Sequence, residues 1–232
     1  MRRIGVIFLS VILICGCRES RIVEYWNENG IDYSDVDAAQ DRFAVYAELA
    51  NAAKLPEAEA SMDVLFDMLK EDEVAYYLYI DWLGAAFYNP LSPCRNPDIY
   101  AKAVGRISSD GILSEGERFM FEKRRDWSQM NKQGSPAVVP GIQLDGRRTL
   151  VLVVNLSCPS CMESLRSMAS APEWADVRRV AVCCGFGPAP ETEGWEYTFL
   201  EDPSEYFDIE LTPVYYVVSE DSLVESSYLI AY

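Results

Sequence analysis

The sequence contains no histidine and few positive charges: 20 Lys and Arg residues stand against 37 Asp and Glu residues, giving a formal net charge of −17. Without histidine the chain cannot carry a Cys–His or Ser–His catalytic pair or a histidine-ligated metal. Any general base must be a carboxylate, a lysine, a tyrosine or a thiolate. The acidic balance argues against nucleic acid as a partner, because phosphate binding requires a basic surface.

A long hydrophobic run is missing as well. The apolar stretch Ile4–Ile14 is shorter than the ~20 residues that a membrane-spanning helix needs. It follows two arginines and has the length of a signal-peptide core. The run is followed by Cys15-Gly16-Cys17. This end resembles a bacterial lipoprotein signal, which implies that residues 1–16 are removed and that Cys17 carries the lipid. An uncleaved, membrane-inserted helix is the alternative.

The predicted export determines where the cysteines work. An exported bacterial protein occupies a compartment in which other proteins make and break disulfides. We therefore expect a protein of the cell envelope, anchored to a membrane through the lipid on Cys17 and facing the periplasm.

The residues after the predicted signal divide into three parts that differ in composition and in the spacing of apolar residues. Residues 17–38 are polar and rich in Asn and Asp, which predicts a tether. Residues 39–131 have helical spacing, and the stretch 73–88 is apolar nearly all round, which is typical of a buried helix. Residues 134–232 follow a Gly/Pro/Ser-rich linker.

The third part alternates predicted strands and a helix. The runs rich in β-branched residues predict buried strands, and the segment after the first strand predicts a helix. The predicted strands cover 147–156, 177–184, 211–218 and 222–226, the last two joined as a hairpin. The predicted fold class is α+β with two domains: an α-helical domain followed by an α/β domain with a mixed sheet.

Two cysteines in "NLSCPSCMESL", Cys158 and Cys161, lie where the first of these strands meets the helix. A redox pair, half of a metal site and two ordinary cysteines are all possible from this spacing alone. At a helix start, unsatisfied backbone N–H groups and the helix dipole favour a Cys158 thiolate, the reactive form of the group. Cys161 follows one turn later, and Pro159 occupies a position where a missing N–H costs little.

The stretches "GSPAVVPGIQLDG", "LVLVVNLSCPSC" and "YFDIELTPVYYVV" are similar to the first hairpin, active-site loop and cis-proline strand of thioredoxin-like proteins. On these motifs, residues 134–232 resemble the thioredoxin-like domain of membrane-anchored thiol–disulfide oxidoreductases. The helical part, through "YYLYIDWLGAAFYNPLSPCRNPDIYAKAV", resembles the uncharacterised domain that precedes such domains in lipoproteins of gut anaerobes.

The resemblance implies a set of roles. Cys158 is the attacking nucleophile, and Cys161 resolves the intermediate and forms a disulfide with it. Pro159 and Ser160, with Thr212 and a cis Pro213, frame the substrate. No cofactor or metal is implied. The implied partners are protein thiols or disulfides and a redox partner protein.

The sequence departs from the family pattern in three places. Ser157 stands where a tryptophan usually precedes the first cysteine, and the preceding strand has no acid, with Asn155 as its polar residue. The C-terminus is shorter than the family's usual final helix requires. These departures favour an alternative function, a non-catalytic thioredoxin-fold module for binding or scaffolding.

Cys183 and Cys184 end a strand predicted to run parallel to the strand that leads to Cys158. One of the two could therefore serve as a third redox thiol near the pair, whereas the alternative is two buried cysteines that pack like small apolar residues. A zinc site made from all four cysteines is disfavoured, because adjacent strand residues point to opposite faces.

Overall fold

The computed structural model describes residues 21–188 and 190–230. The predicted signal peptide and Cys17 lie outside these residues. Within the described part, no helix combines the length and the apolar character needed to cross a membrane.

The first half of the described chain is helical. Its helices are α1 (Tyr25–Asn29), α2 (Val36–Ala52), α3 (Leu55–Leu69), α4 (Glu73–Leu83), α5 (Pro97–Asp110) and α6 (Glu115–Gln129). Helix α4 continues into a π-helical turn over Gly84–Tyr88. The helix predicted to be buried over 73–88 is buried on one side only: Tyr76, Tyr79 and Phe87 are fully buried, whereas Val74 is 66% exposed.

Side-chain caps explain where several of these helices begin. The Asp72 side chain accepts from the N–H groups of the first turn of α4, and Asn96 does the same for α5. Ser114 and Glu117 form the reciprocal bonds of a capping box at the start of α6. Each cap satisfies backbone donors that would otherwise lack a partner.

The prediction of a tether over 17–38 is wrong for its described residues. Ile22, Tyr25 and Trp26 are buried in the core of the helical half, and Trp26 is fully buried. Its ring lies 4.8 Å from that of Tyr46 and 5.7 Å from that of Tyr79, centroid to centroid. Ile22, Tyr25 and Trp26 are spaced three and four residues apart and form a short apolar stripe, which the many polar residues elsewhere in 17–38 obscure in the sequence.

Trp26→Ala is expected to lower the free energy of unfolding by about 3–5 kcal/mol, because it removes a large buried aromatic side chain and leaves a cavity. Urea unfolding of the variant measures this loss. Phe119→Ala is the matched control, since Phe119 is 55% exposed, and it should change stability by less than about 0.5 kcal/mol. Equal stabilities of the two variants would contradict the burial of Trp26.

The second half is a five-stranded sheet with one long helix. Its elements are β1 (Thr149–Asn155), α7 (Pro159–Ser170), β2 (Arg178–Cys184), β3 (Glu196–Phe199), β4 (Val214–Val218) and β5 (Val224–Ile230). The strand order is β3-β2-β1-β4-β5. β1, β2 and β3 are parallel, whereas β4 and β5 are antiparallel to their neighbours. The predicted α+β class, mixed sheet and final hairpin are confirmed.

Two details differ from the sequence prediction. Strand β3 was not predicted, because four residues at a sheet edge carry little periodicity. The hairpin implied over 134–146 is replaced, among the described residues, by an extended segment with a single bridge between Pro136 and Leu223. The Gly134 N–H donates to the Val224 carbonyl at 2.8 Å, so this segment follows strand β5 instead of pairing with itself.

The central strand β1 is buried on both faces, as expected for a parallel strand in a sheet that is covered on both sides. Helix α7 covers one face with Leu165 and Met168. Loop side chains such as Val139 and Phe207 cover the other face. β1 therefore provides a rigid support for the loop that follows it.

Candidate active site

The C-terminal ends of β1 and β2 and the N-terminal end of β4 meet at one edge of the sheet, the active-site edge. The carboxyl end of β1 pairs with that of β2, where Asn155 lies opposite Cys184. Strand β4 begins at the same edge, since Val153 pairs with Val214. One residue further along, this register places Pro213 beside the end of β1. The loop that leads to Cys158 leaves the sheet at this edge.

Asn155 organises that loop. Its Oδ1 accepts from the Ser157 N–H at 3.0 Å and from the Ser157 hydroxyl at 2.7 Å, and its carbonyl accepts from the Cys158 N–H at 3.0 Å. Gly185 lies against it with φ +76°, and a Cβ there would come within 2.5 Å of Asn155 Oδ1. Asn followed two residues later by Ser is a turn signal, and this signal in the sequence indicates the role of Asn155.

Cys158 is half-buried and occupies the N-cap position of α7. Its Sγ lies 3.0 Å from the Ser160 hydroxyl. The hydrogen bond from Ser160 lowers the pKa of Cys158, with help from the Cys161 thiol and the backbone N–H groups of Cys161 and Ser160, while partial burial opposes the shift. A lowered pKa increases the thiolate fraction at neutral pH.

Cys161 has the opposite properties. It is fully buried, and its Sγ accepts from the Asn155 N–H at 3.4 Å. Burial raises the pKa of Cys161 to about 12, and its hydrogen bond to Cys158 adds to the increase. The structure has no bond between the two sulfurs. The predicted disulfide between them stays a prediction.

Of the other predicted site residues, Pro159 and Ser160 lie between the two cysteines, and Thr212 and Pro213 directly precede β4. Pro159 and Ser160 are exposed on the first turn of α7. The Thr212–Pro213 peptide bond is cis, as the resemblance implied. Pro213 is buried and Thr212 is half-buried, with its hydroxyl donating to the Ile209 carbonyl at 3.2 Å. The substrate-framing role of these four residues stays a prediction.

Ser160→Ala is expected to slow alkylation of Cys158 severalfold at pH 7, because the thiolate loses its largest stabilising partner. The wild-type rate should rise with pH to a plateau through a midpoint below that of an ordinary thiol, and the variant's midpoint should lie higher. Iodoacetamide kinetics across pH 5–10 measure both curves. Ser167→Ala, further along the same helix, is the control. Superimposable profiles for Ser160→Ala and wild type would contradict this assignment.

Cys183 and Cys184 are both buried, on opposite faces of β2. Burial raises the pKa of both thiols, that of Cys183 to about 12. The Cys184 thiol donates to the Val154 carbonyl at 3.4 Å. The N–H of the same peptide group donates to Cys161, so the two sulfurs lie on opposite edges of β1.

This placement favours the packing role over a third redox thiol. Cys183→Ala and Cys184→Ala are therefore expected to leave turnover and the oxidation products unchanged. Peptide mapping by mass spectrometry after mild oxidation checks the products. A disulfide that contains Cys184, or turnover lowered severalfold, would restore the third-thiol hypothesis.

In residues 21–188 and 190–230, no group of three or more Cys, Asp or Glu side chains is arranged to hold a metal ion.

No protein-family model and no curated protein matches the chain. A solved structure does: the crystal structure of a thioredoxin-like protein from Bacteroides caccae ATCC 43185 matches with a TM-score of 0.68 and 16% sequence identity. The chain has a thioredoxin-like fold. The match covers 100% of this chain and 96% of the other, so the likeness includes the helical half as well as the thioredoxin-like half. At this identity the fold alone is shared, and it is compatible with a redox or a binding role.

Proposed function

We propose that this protein is a thiol–disulfide oxidoreductase that acts on protein thiols or disulfides through Cys158 and Cys161. The observation that carries the proposal is the asymmetry of the pair. One thiol is accessible with a lowered pKa, and the other, three residues later, is buried with a raised pKa. A nucleophile and a resolving thiol require this division of properties.

The first step is attack on a substrate disulfide. The Cys158 thiolate bonds to one substrate sulfur, the substrate S–S bond breaks, and the other sulfur leaves as a thiolate that takes a proton from solvent. The product is a mixed disulfide between Cys158 and the substrate. The hydrogen bond from Ser160 increases the population of the attacking thiolate.

The second step releases the substrate. Cys161 loses its proton and attacks Cys158 Sγ, which forms the Cys158–Cys161 disulfide and expels the second substrate sulfur as a thiolate. Two influences that raise the pKa of Cys161, the hydrogen bond to Cys158 and its charge, disappear once Cys158 is in the mixed disulfide. The Asn155 N–H remains to stabilise the Cys161 thiolate.

Among the described residues, the main influences on the pKa of Cys161 are burial, Cys158, Cys184 and the Asn155 N–H, none of which is a carboxylate. This agrees with the absence of an acid in the strand before the site. The expelled substrate thiolate or a water molecule is then the acceptor of the Cys161 proton. The net reaction reduces one substrate disulfide and oxidises the pair, and the reverse direction uses the same steps.

The proposal includes a location and partners. The lipoprotein-like N-terminus supports an anchor on Cys17 in the bacterial cell envelope, with the thioredoxin-like half facing the periplasm. There a redox partner protein exchanges electrons with the pair. Incorporation of labelled palmitate by the wild type and by Cys17→Ser tests the anchor; equal labelling of the two would refute it.

Catalysed reduction of insulin by dithiothreitol tests the activity. The full chain is expected to accelerate precipitation of the reduced insulin chains, and the double variant Cys158→Ser/Cys161→Ser should not. A wild-type chain no faster than the double variant would refute the proposal and leave the binding or scaffold role.

A further inference from the structure

The helical half contacts the thioredoxin-like half at the segment that leads into the active-site edge. This segment, residues 203–211, ends directly before Thr212 and Pro213. Helix α6 contributes two bonds: Trp127 Nε1 donates to the Ser204 carbonyl at 2.6 Å, and Arg124 Nε donates to Glu210 Oε2 at 3.1 Å. Leu211 packs against the apolar cores of both halves.

A third contact is fully buried. The Tyr88 hydroxyl, at the end of the π-helical turn, donates to Asp208 Oδ2. Asp208 is 0% exposed. The Tyr88 ring is held in turn, since it stacks on Tyr100 at 5.1 Å and lies beneath the Arg124 guanidinium at 5.9 Å.

Asp208 transmits this contact to the active-site edge. While Oδ2 accepts from Tyr88, Oδ1 accepts from the Glu210 N–H at 3.0 Å. The Thr212 hydroxyl closes the same turn on the Ile209 carbonyl. One carboxylate therefore joins the helical half to the backbone turn immediately before Pro213. A buried carboxylate that loses a donor is destabilised more than an exposed one, so this connection should be sensitive to small changes.

We propose that Tyr88, Arg124 and Trp127 are positioning residues: they hold the 203–211 segment so that the edge at Pro213 is set to receive a protein substrate. This inference rests on the proposed function and deepens it. An extended substrate segment must align several backbone groups with such an edge, and a small shift of the edge disturbs that alignment. A small disulfide needs access only to Cys158.

The test compares two disulfides with the full chain. Tyr88→Phe is expected to raise KM for insulin at least about fivefold, while the rate with 5,5′-dithiobis(2-nitrobenzoic acid) and the reduction potential of the pair stay unchanged. Tyr33→Phe is the matched control, because the Tyr33 hydroxyl also donates to an aspartate, Asp72, within the helical half. It should leave both reactions unchanged.

The outcomes are separable. If Tyr88→Phe matches Tyr33→Phe with both disulfides, or lowers both rates equally, the positioning role is overturned and the proposed function stands. If the wild type reacts with neither disulfide, both proposals are overturned. Trp127→Phe, which replaces the indole with a smaller aromatic ring and removes the bond to Ser204, provides the same comparison should Tyr88→Phe fail to fold.

Discussion

Cys158→Ser is expected to reduce disulfide exchange to the uncatalysed rate, a loss of about three orders of magnitude or more. Of the two thiols in the motif, Cys158 is the accessible one, and its pKa is lowered by Ser160. A serine hydroxyl in the same place stays protonated at neutral pH and cannot form the mixed disulfide. Stopped-flow measurement of exchange with a peptide disulfide checks this result.

Cys94→Ser is the matched control for that experiment. Cys94 is also a half-buried thiol, but it lies in the helical half, and burial raises its pKa. The control should retain the full rate. A Cys158→Ser variant that kept more than about a tenth of the wild-type rate would show that another thiol attacks the substrate.

Cys161→Ser has the second large expected effect: it should trap the mixed disulfide between Cys158 and the substrate. Cys158 can still attack, but no thiol follows on the first turn of α7 to release the product. We expect a covalent adduct that persists at least about a hundredfold longer than in the wild type. Non-reducing electrophoresis and mass spectrometry detect it.

The mass of the trapped peptide must locate the bond at Cys158. The double variant Cys158→Ser/Cys161→Ser should form no adduct, and Cys184→Ala/Cys161→Ser should form as much as Cys161→Ser alone. An adduct that is released at the wild-type rate would mean that Cys161 does not resolve the intermediate.

Local patterns were sufficient for much of the fold. The β-branched runs predicted β1, β2 and β4 within a few residues, and the spacing of Ser114 and Glu117 matches the capping box at the start of α6. These features depend on residues that are close together in the sequence, because strand periodicity and helix capping are both local. The same applies to the cysteine pair, whose helix-start context is readable from residues 147–170.

Features that depend on distant residues were not accessible. The burial of Trp26 requires Tyr46 and Tyr79, which belong to other helices. The contact of Tyr88 with Asp208 joins residues 120 positions apart. No local pattern around Trp26 or Tyr88 indicates which distant residue it contacts. The role of the 203–211 segment is therefore visible only in the folded chain.

The central claim is that Cys158 and Cys161 interconvert between dithiol and disulfide. Equilibration of the full chain in glutathione or dithiothreitol buffers, followed by alkylation and mass spectrometry, tests it most directly. We expect complete interconversion, with a potential between about −270 and about −120 mV, the range of redox-active pairs of this kind. A pair that fails to exchange over hours would contradict the account and leave a thioredoxin-fold binding protein.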